Sequence, residues 1–320
     1  MRRPFRWLAL ALGVALAAAA PAQTDKPVRI IVGFPAGATL DSLARQVAEK
    51  LRLSLNQPVI VENRTGAGGR IAAEYVKGQP GDGMTLLMTP LANMVTMPHS
   101  HKSLRYDPFR DFAPVSHVAS FQLAFAVGTA VPAQNLREYA ALVTKDPKAG
   151  NYASAAAGSI PHFLGVMFAR TAGIELTHVP YKGTAPALTD LVGGQIAAAV
   201  MTVPDIAQLQ RAGKVRALAV AGAKRSDALP DVPTFKEQGF DLEGTGWYAV
   251  FAPAATPRET VDRLSRLIAQ ATQTPELRAF IQKGGMEPTG TTPAELAAIV
   301  KADYDRWGPV IKASGFTSED

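Results

Sequence analysis

The sequence has no cysteine. No disulfide can staple it, no thiolate can hold a metal or act as a nucleophile, and a lipid anchor that needs a cysteine acceptor is excluded. Charged residues make up only 19% and aromatics 7% of the 320 residues, and the formal charge is +6. Three of those charges are Arg2, Arg3 and Arg6, so the chain beyond them carries +3, which does not call for a nucleic-acid partner. Long hydrophobic runs are also missing after the first residues. The apolar run 7–20 is too short for a spanning helix, which needs about 20 residues, and no later segment is longer.

What is present at the start is a basic cluster, the apolar run and then Ala20-Pro21-Ala22, the pattern of an export signal over 1–22 with cleavage after Ala22. Arg2-Arg3 followed by Phe5 fits either the general or the twin-arginine route. The exported chain is expected to be soluble, periplasmic and held together by packing alone. With 47% apolar residues it is globular, and its length favours two domains over one.

The stretch 28–52 organises the rest. Val28, Ile30, Ile31 and Val32 suit a buried parallel strand, while Leu40, Leu43, Ala44, Val47, Ala48 and Leu51 recur at helical spacing. Between them, Phe34, Pro35, Ala36, Gly37, Ala38 and Thr39 join a strand's carboxyl end to a helix's amino end. Small residues there let backbone N–H groups approach an anion, and the Thr39 hydroxyl is placed to cap the helix. Asp41 adds favourable charge to the first helical turn and can brace the loop.

Further strands are expected at 59–61, 84–88, 121–127, near Tyr152, and at 176–179, 196–201, 215–220 and 247–252. Helices are expected at 71–76, 137–144, 161–171, 185–191, 206–211 and 293–313. Strand–helix alternation of this kind means α/β, doubly wound. From Thr89-Pro90, where the third strand ends, a polar loop with His99 and His101 leads to 106–115; the two histidines lack the partners a metal needs. Gly66-Ala67-Gly68-Gly69 suggests a dinucleotide loop, but Ile71 stands where the last glycine of that fingerprint belongs, so no cofactor is expected. A second loop, 153–159, again lies between strand and helix. Two helix amino termini facing each other would make a cleft for a small anion. Thr256-Pro257-x-Glu259 and Thr292-Pro293-x-Glu295 read as capping boxes, and Thr274-Pro275 as a shorter version.

Several stretches together resemble one family: Pro27-Val28-Arg29-Ile30-Ile31-Val32-Gly33-Phe34, Val61-Glu62-Asn63-Arg64 with the glycines after it, Tyr106-Asp107-Pro108, Tyr181-Lys182-Gly183, Leu229-Pro230-Asp231-Val232-Pro233-Thr234 and Trp247-Tyr248-x-x-Phe251-Ala252-Pro253. The chain is similar to the Bug-type solute receptors of tripartite tricarboxylate transporters. The resemblance implies two doubly wound domains joined by two crossing strands, a type II periplasmic-binding-protein clamshell, with 26–120 plus 247–320 as one domain and 121–246 as the other. It also implies a monomer that is not an enzyme, closes on a small carboxylate and serves membrane permease subunits. The ligand contacts so implied are Phe34, Pro35, Ala36, Gly37, Ala38, Thr39, Thr89, Ser154, Ala157, Gly158, Ser159, His162, Tyr181 and Met201. Met201 falls where many relatives carry an acid, which implies a ligand without a cationic group.

Two other functions remain open. A sensor feeding a signalling partner would look the same in sequence. An exported hydrolase would need a nucleophile and base, for which Ser159 and His162 are the candidates, yet neither G-x-S-x-G nor H-E-x-x-H occurs.

Overall fold

The computed structural model describes residues 26–181 and 183–318, so the export segment 1–22 and its cleavage site lie outside the described residues. The first half of the chain runs β1 (Val28–Val32), α1 (Thr39–Leu55), β2 (Val59–Asn63), α2 (Arg70–Lys77), β3 (Thr85–Pro90), α3 (Leu91–Met94), α4 (Met97–Ser100), β4 (Phe112–Gly128), α5 (Leu136–Lys145) and β5 (Asn151–Ser154). It continues with α6 (Ile160–Ala172), β6 (Thr177–Pro180), α7 (Thr184–Val192), β7 (Ala198–Thr202), α8 (Val203–Arg211) and β8 (Val215–Val220). The chain then returns through β9 (Thr245–Pro253), α9 (Arg258–Gln273), α10 (Pro275–Lys283), β10 (Met286–Pro288) and α11 (Pro293–Ser314).

The strands lie in the order β2-β1-β3-β9-β4-β7-β5-β6, with β10 and β8 also paired to β4. β1 is parallel to β2 and β3, and β5 is parallel to β6 and β7. The long strand β4 joins these groups. From Phe112 to Gln122 it pairs antiparallel with β9, and from Leu123 to Gly128 it pairs with β7 and β8.

β4 starts nine residues before the strand expected from the apolar run at 121–127. Pro114 and alternating small polar residues hide its first part. The ladder accommodates the proline, which has no N–H to donate, by shifting register between Pro114 and Ser116. The loop expected between Pro90 and Tyr106 likewise contains the short helices α3 and α4, each too brief to show a period.

Packing differs on the two sides of this sheet. On one side a single apolar cluster runs the whole length, holding Phe112 and Phe251 together with Phe125, Phe163 and Phe168 and closed by Trp307 and Ile311 of α11. On the other side the core is divided. Leu40, Leu43, Val47 and Leu51 of α1 pack with Ile268 and Met286 in one cluster, and Ile206, Ala207 and Met201 pack in another. Each fully buried leucine contributes roughly 1.5–3 kcal/mol of transfer free energy. A cavity of about 830 Å³ opens where the two clusters part, bordered by Phe121 and Met286 on one side and Pro204 and Ala207 on the other.

Capping at the helix starts is only partly as expected. Thr292 forms the full capping box with Glu295. Thr256 does not: α9 starts after Pro257, and the buried Thr256 hydroxyl has no partner. Thr274 precedes α10 but donates its hydroxyl to the carbonyl of Ala271, the end of α9, instead of capping.

Candidate functional site: two loops and a cavity

The first loop follows β1 directly. Gly33 lies so close to Gly69 that a Cβ on it would sit 2.5 Å from the Gly69 Cα, so the first loop and the glycine loop abut. Phe34 is half-buried against Gly69, and its carbonyl accepts from Asn63 Nδ2 at 3.0 Å. Pro35, Ala36, Gly37 and Thr39 are exposed. Gly37 has φ +82°, which favours glycine, and its N–H donates to Asp41 Oδ2 at 2.9 Å.

Asp41 is 2% exposed and also accepts from Arg45 Nε and Nη2 and from Asn63 Nδ2. Burial opposes its charge, but the hydrogen bonds from Arg45, Gly37 and Asn63 outweigh that and hold the carboxyl below its usual range. Thr39 does not cap α1. It is the first helical residue, Ala38 is the cap, and from that position the hydroxyl cannot reach the N–H groups one turn ahead. Those first-turn N–H groups are left for water or a ligand.

The second loop is bound differently. Gly158 has φ +70°, its N–H donates to His162 Nδ1 at 3.2 Å, and its carbonyl accepts from Thr96 Oγ1 at 2.8 Å. His162 is buried and stacks on His178, ring centroids 3.9 Å apart, with Phe316 edge-on at 4.8 Å. Burial pushes the imidazole of His162 down to about 4, and burial with its neighbour pushes His178 down to about 3, so both rings are neutral near pH 7. Ser154 Oγ shares a 2.7 Å bond with His178 Nε2, and Ser159 Oγ donates to the Ala156 carbonyl at 2.7 Å. Ser159 therefore does not bond His162, and the candidate nucleophile–base pair is not assembled. Ala157, at the loop's tip, is exposed.

The remaining expected residues lie near these loops without offering free side-chain donors. Thr89 is buried and donates to Asn93 Oδ1, whose amide nitrogen in turn holds the Gly68 carbonyl. Tyr181 donates through its N–H to the Ser154 carbonyl and through its hydroxyl to Asp190 at 2.6 Å, a bond that pushes its phenol up to about 12. Met201 is 1% exposed and packs in the apolar cluster with Val203 and Ile206. The hydroxyls of Thr89, Ser159 and Tyr181 all have protein acceptors, so the loops' available donors are mainly backbone N–H groups at the starts of α1 and α6.

An acid stands near the end of this strand, four residues beyond Met201. Asp205, in the first turn of α8, lines the cavity and takes a 2.6 Å hydrogen bond from Thr202 Oγ1. Burial raises its carboxyl. Reasoning from the sequence missed it, although Thr202-x-Pro204-Asp205 is a visible helix-start signal. Among the described residues no group of three or more histidine, aspartate or glutamate side chains is arranged to hold a metal ion.

Residues 43–316 match the family model described as "Tripartite tricarboxylate transporter family receptor". The chain is 33% identical to Protein BugT of Bordetella pertussis over 309 residues, 95% of this chain and 94% of that protein. Among solved structures it is similar to the R. palustris protein Rpa4515 with adipate (33% identity, TM-score 0.84, 91% of this chain and 98% of that one). It is also similar to MatC from Rhodopseudomonas palustris with bound malate (30%, 0.81, 89% and 98%) and to the periplasmic binding protein BugD (32%, 0.81, 91% and 98%). The doubly wound clamshell of periplasmic binding proteins is thus its fold, and the chain belongs to the tripartite tricarboxylate transporter receptor family, the Bug-type solute receptors.

Proposed function

We propose that this receptor captures a small carboxylate between loops 34–39 and 154–159 in the periplasm, after removal of residues 1–22, and delivers it as a non-catalytic monomer to the permease subunits of a tripartite transporter. In this reading 26–120 with 247–320 forms one domain and 121–246 the other, with β4 and β9 as the connections that bend on closure. The observation that carries it is the pairing of helix starts. α1 and α6 each begin at a glycine-containing loop, and the neighbouring hydroxyls are already engaged within the protein. Unsatisfied N–H groups and two helix dipoles favour an anion there, and a charge-assisted hydrogen bond contributes roughly 1.5–3 kcal/mol. The similarity to structures holding adipate and malate supports the same ligand class.

The test is a thermal-shift screen of the purified protein against small carboxylates and neutral amides, followed by calorimetry on the hits. A ligand at 100 times its Kd should stabilise the fold by about 2.7 kcal/mol. Gly37→Pro and Gly158→Pro remove an N–H and forbid the positive φ, and should abolish binding; Ser159→Ala, which loses only a bond within the loop, should weaken it by no more than about 1 kcal/mol. Carboxylates that fail to shift the melting temperature, or full affinity in both proline variants, would remove this reading.

A further inference from the structure

Loop 154–159 is not shaped by its own segment alone. In the division proposed above it belongs to 121–246, yet Thr96, between α3 and α4, and Phe316, just past the end of α11, reach it from the other domain. Thr96 is fully buried and donates its hydroxyl to the Gly158 carbonyl at 2.8 Å. The ring of Phe316 stands edge-on to His162 at 4.8 Å and to Phe163 at 5.8 Å. It also closes the side of Gly158 where a side chain would project, since a Cβ there would lie 3.3 Å from the ring and 3.4 Å from Ser100 Oγ. The Ser318 N–H donates to the Ser100 carbonyl at 2.6 Å, which ties the segment carrying Phe316 to α4.

The planarity of the peptide gives these contacts a consequence for binding. The Gly158 carbonyl and the Ser159 N–H belong to one trans peptide unit and point in opposite directions. Holding the carbonyl on Thr96 therefore aims the Ser159 N–H away from α3 and α4. Among the described residues no acceptor takes that N–H, whereas the Gly158 N–H is taken by His162 Nδ1. Pro161, in the first turn of α6, has no N–H to offer, so the aim of Ser159 matters the more. Glycine has the least restricted backbone of any residue, and a peptide plane that follows one needs contacts from outside to fix it.

We infer that Thr96 and Phe316 are positioning residues for the ligand, which act through Gly158 and set from the other domain the peptide plane by which loop 154–159 donates. The inference rests on the receptor reading above and deepens it, because the second loop's donor then depends on contacts between the two domains. The α3–α4 segment suits this role: Asn93 Nδ2 holds the Gly68 carbonyl, and the adjoining Gly69 lies against Phe34 of the first loop, so one segment touches the surroundings of both loops.

The test is calorimetry on the purified protein with succinate, malate and adipate, well below the melting temperature of each variant. Thr96→Ala and Thr96→Ser differ only in the hydroxyl. Kd should rise at least tenfold in Thr96→Ala and stay within threefold of the wild type in Thr96→Ser. Phe316→Ala keeps every hydrogen bond of the loop and should raise Kd more than threefold; it carries the test by itself if Thr96→Ala does not fold. Val143→Ala, a core change in α5 at a position 3% exposed, should lower the melting temperature yet leave Kd within twofold, which separates positioning from a general loosening of the fold. A Kd within threefold of the wild type in either folded alanine variant of Thr96 or Phe316, a serine variant no better than Thr96→Ala, or an equal loss in Val143→Ala would overturn the inference and leave the receptor reading intact. If no small carboxylate binds the wild type, the receptor reading falls and this inference falls with it.

Discussion

The two loops occupy matching places at the ends of parallel strands, yet they are braced by opposite means. Loop 34–39 is exposed and tied by a charge: Asp41, inside the following helix, gathers Gly37, Arg45 and Asn63. Loop 154–159 is tied by neutral groups: His162 takes the Gly158 N–H and stacks on His178 with Phe316 edge-on, while Thr96, from the segment between α3 and α4, holds the Gly158 carbonyl. A positive-φ glycine serves both. One backbone shape can thus be held by a buried carboxylate beneath an exposed loop or by a buried uncharged group, and pH should tell them apart.

The largest expected effect is acid loss of the second loop before the first. Unfolded, an imidazole binds its proton below about 6.5; folded, His162 does so only at about 4 and His178 at about 3. Between those values the unfolded chain binds more protons, so stability falls as the pH is lowered through 6.5 toward 4. For His162 alone the loss amounts to ~3 kcal/mol at 1.36 kcal/mol per unit. Asp41 has linkage of the same sign in a lower window: its depressed folded pKa adds stability that is present above about 3.9 and disappears only below it. Urea midpoints at pH 7, 5.5 and 4.5 should therefore fall, and His162→Gln, which keeps an acceptor for Gly158, should reduce the fall by the His162 share, the rest belonging to His178 and to His117 of β4, which burial also pushes down to about 4. A midpoint that stays level from pH 6.5 to 4.5 would contradict the neutral-histidine anchor.

The second effect isolates the ionic anchor. Asp41→Ala leaves four donor nitrogens, from three residues, without this acceptor at a site only 2% exposed, and should destabilise the protein by about 2–3 kcal/mol in urea unfolding. Because Arg45 is half-exposed and can turn to solvent, the loss should stay below that of a fully buried ion pair. The acid sensitivity between pH 6.5 and 4 should be unchanged in this variant. If it vanishes too, the two anchors are not independent.

How far these anchors were legible from residues alone follows from the range of each contact. The strand–loop–helix frame of 28–52 was visible because periodicity and small residues are local signals, and Asp41 could be read as a brace because its partner Gly37 is four residues away. Asn63 as a second partner, His178 stacked on His162, and Thr96 reaching Gly158 are contacts between distant segments that no spacing announces. The early start of β4 was hidden by Pro114, and the missing cap at Thr256 shows that a correct motif can be overruled by where the proline places the first turn. Asp205 was overlooked for another reason. The family resemblance points to Met201, whereas the acid stands four residues further on at the same strand end.

The smallest effect compares the glycines themselves. Gly37 and Gly158 have φ of +82° and +70°, so alanine at either adopts a left-handed conformation at roughly 1–2 kcal/mol. Their surroundings differ. A Cβ at Gly37 meets nothing within 4 Å, whereas one at Gly158 lies 3.3 Å from the Phe316 ring and 3.4 Å from Ser100 Oγ. Gly37→Ala should therefore show the backbone cost alone, and Gly158→Ala about 1 kcal/mol more, since overpacking adds a penalty of that order. Combining Gly158→Ala with Phe316→Ala separates the two contributions. If the ring is what the new methyl meets, the double variant should lose less stability than the sum of the single variants, because the second change makes room for the first. Strict additivity would place the extra cost in the loop backbone and leave Phe316 as packing for His162 only.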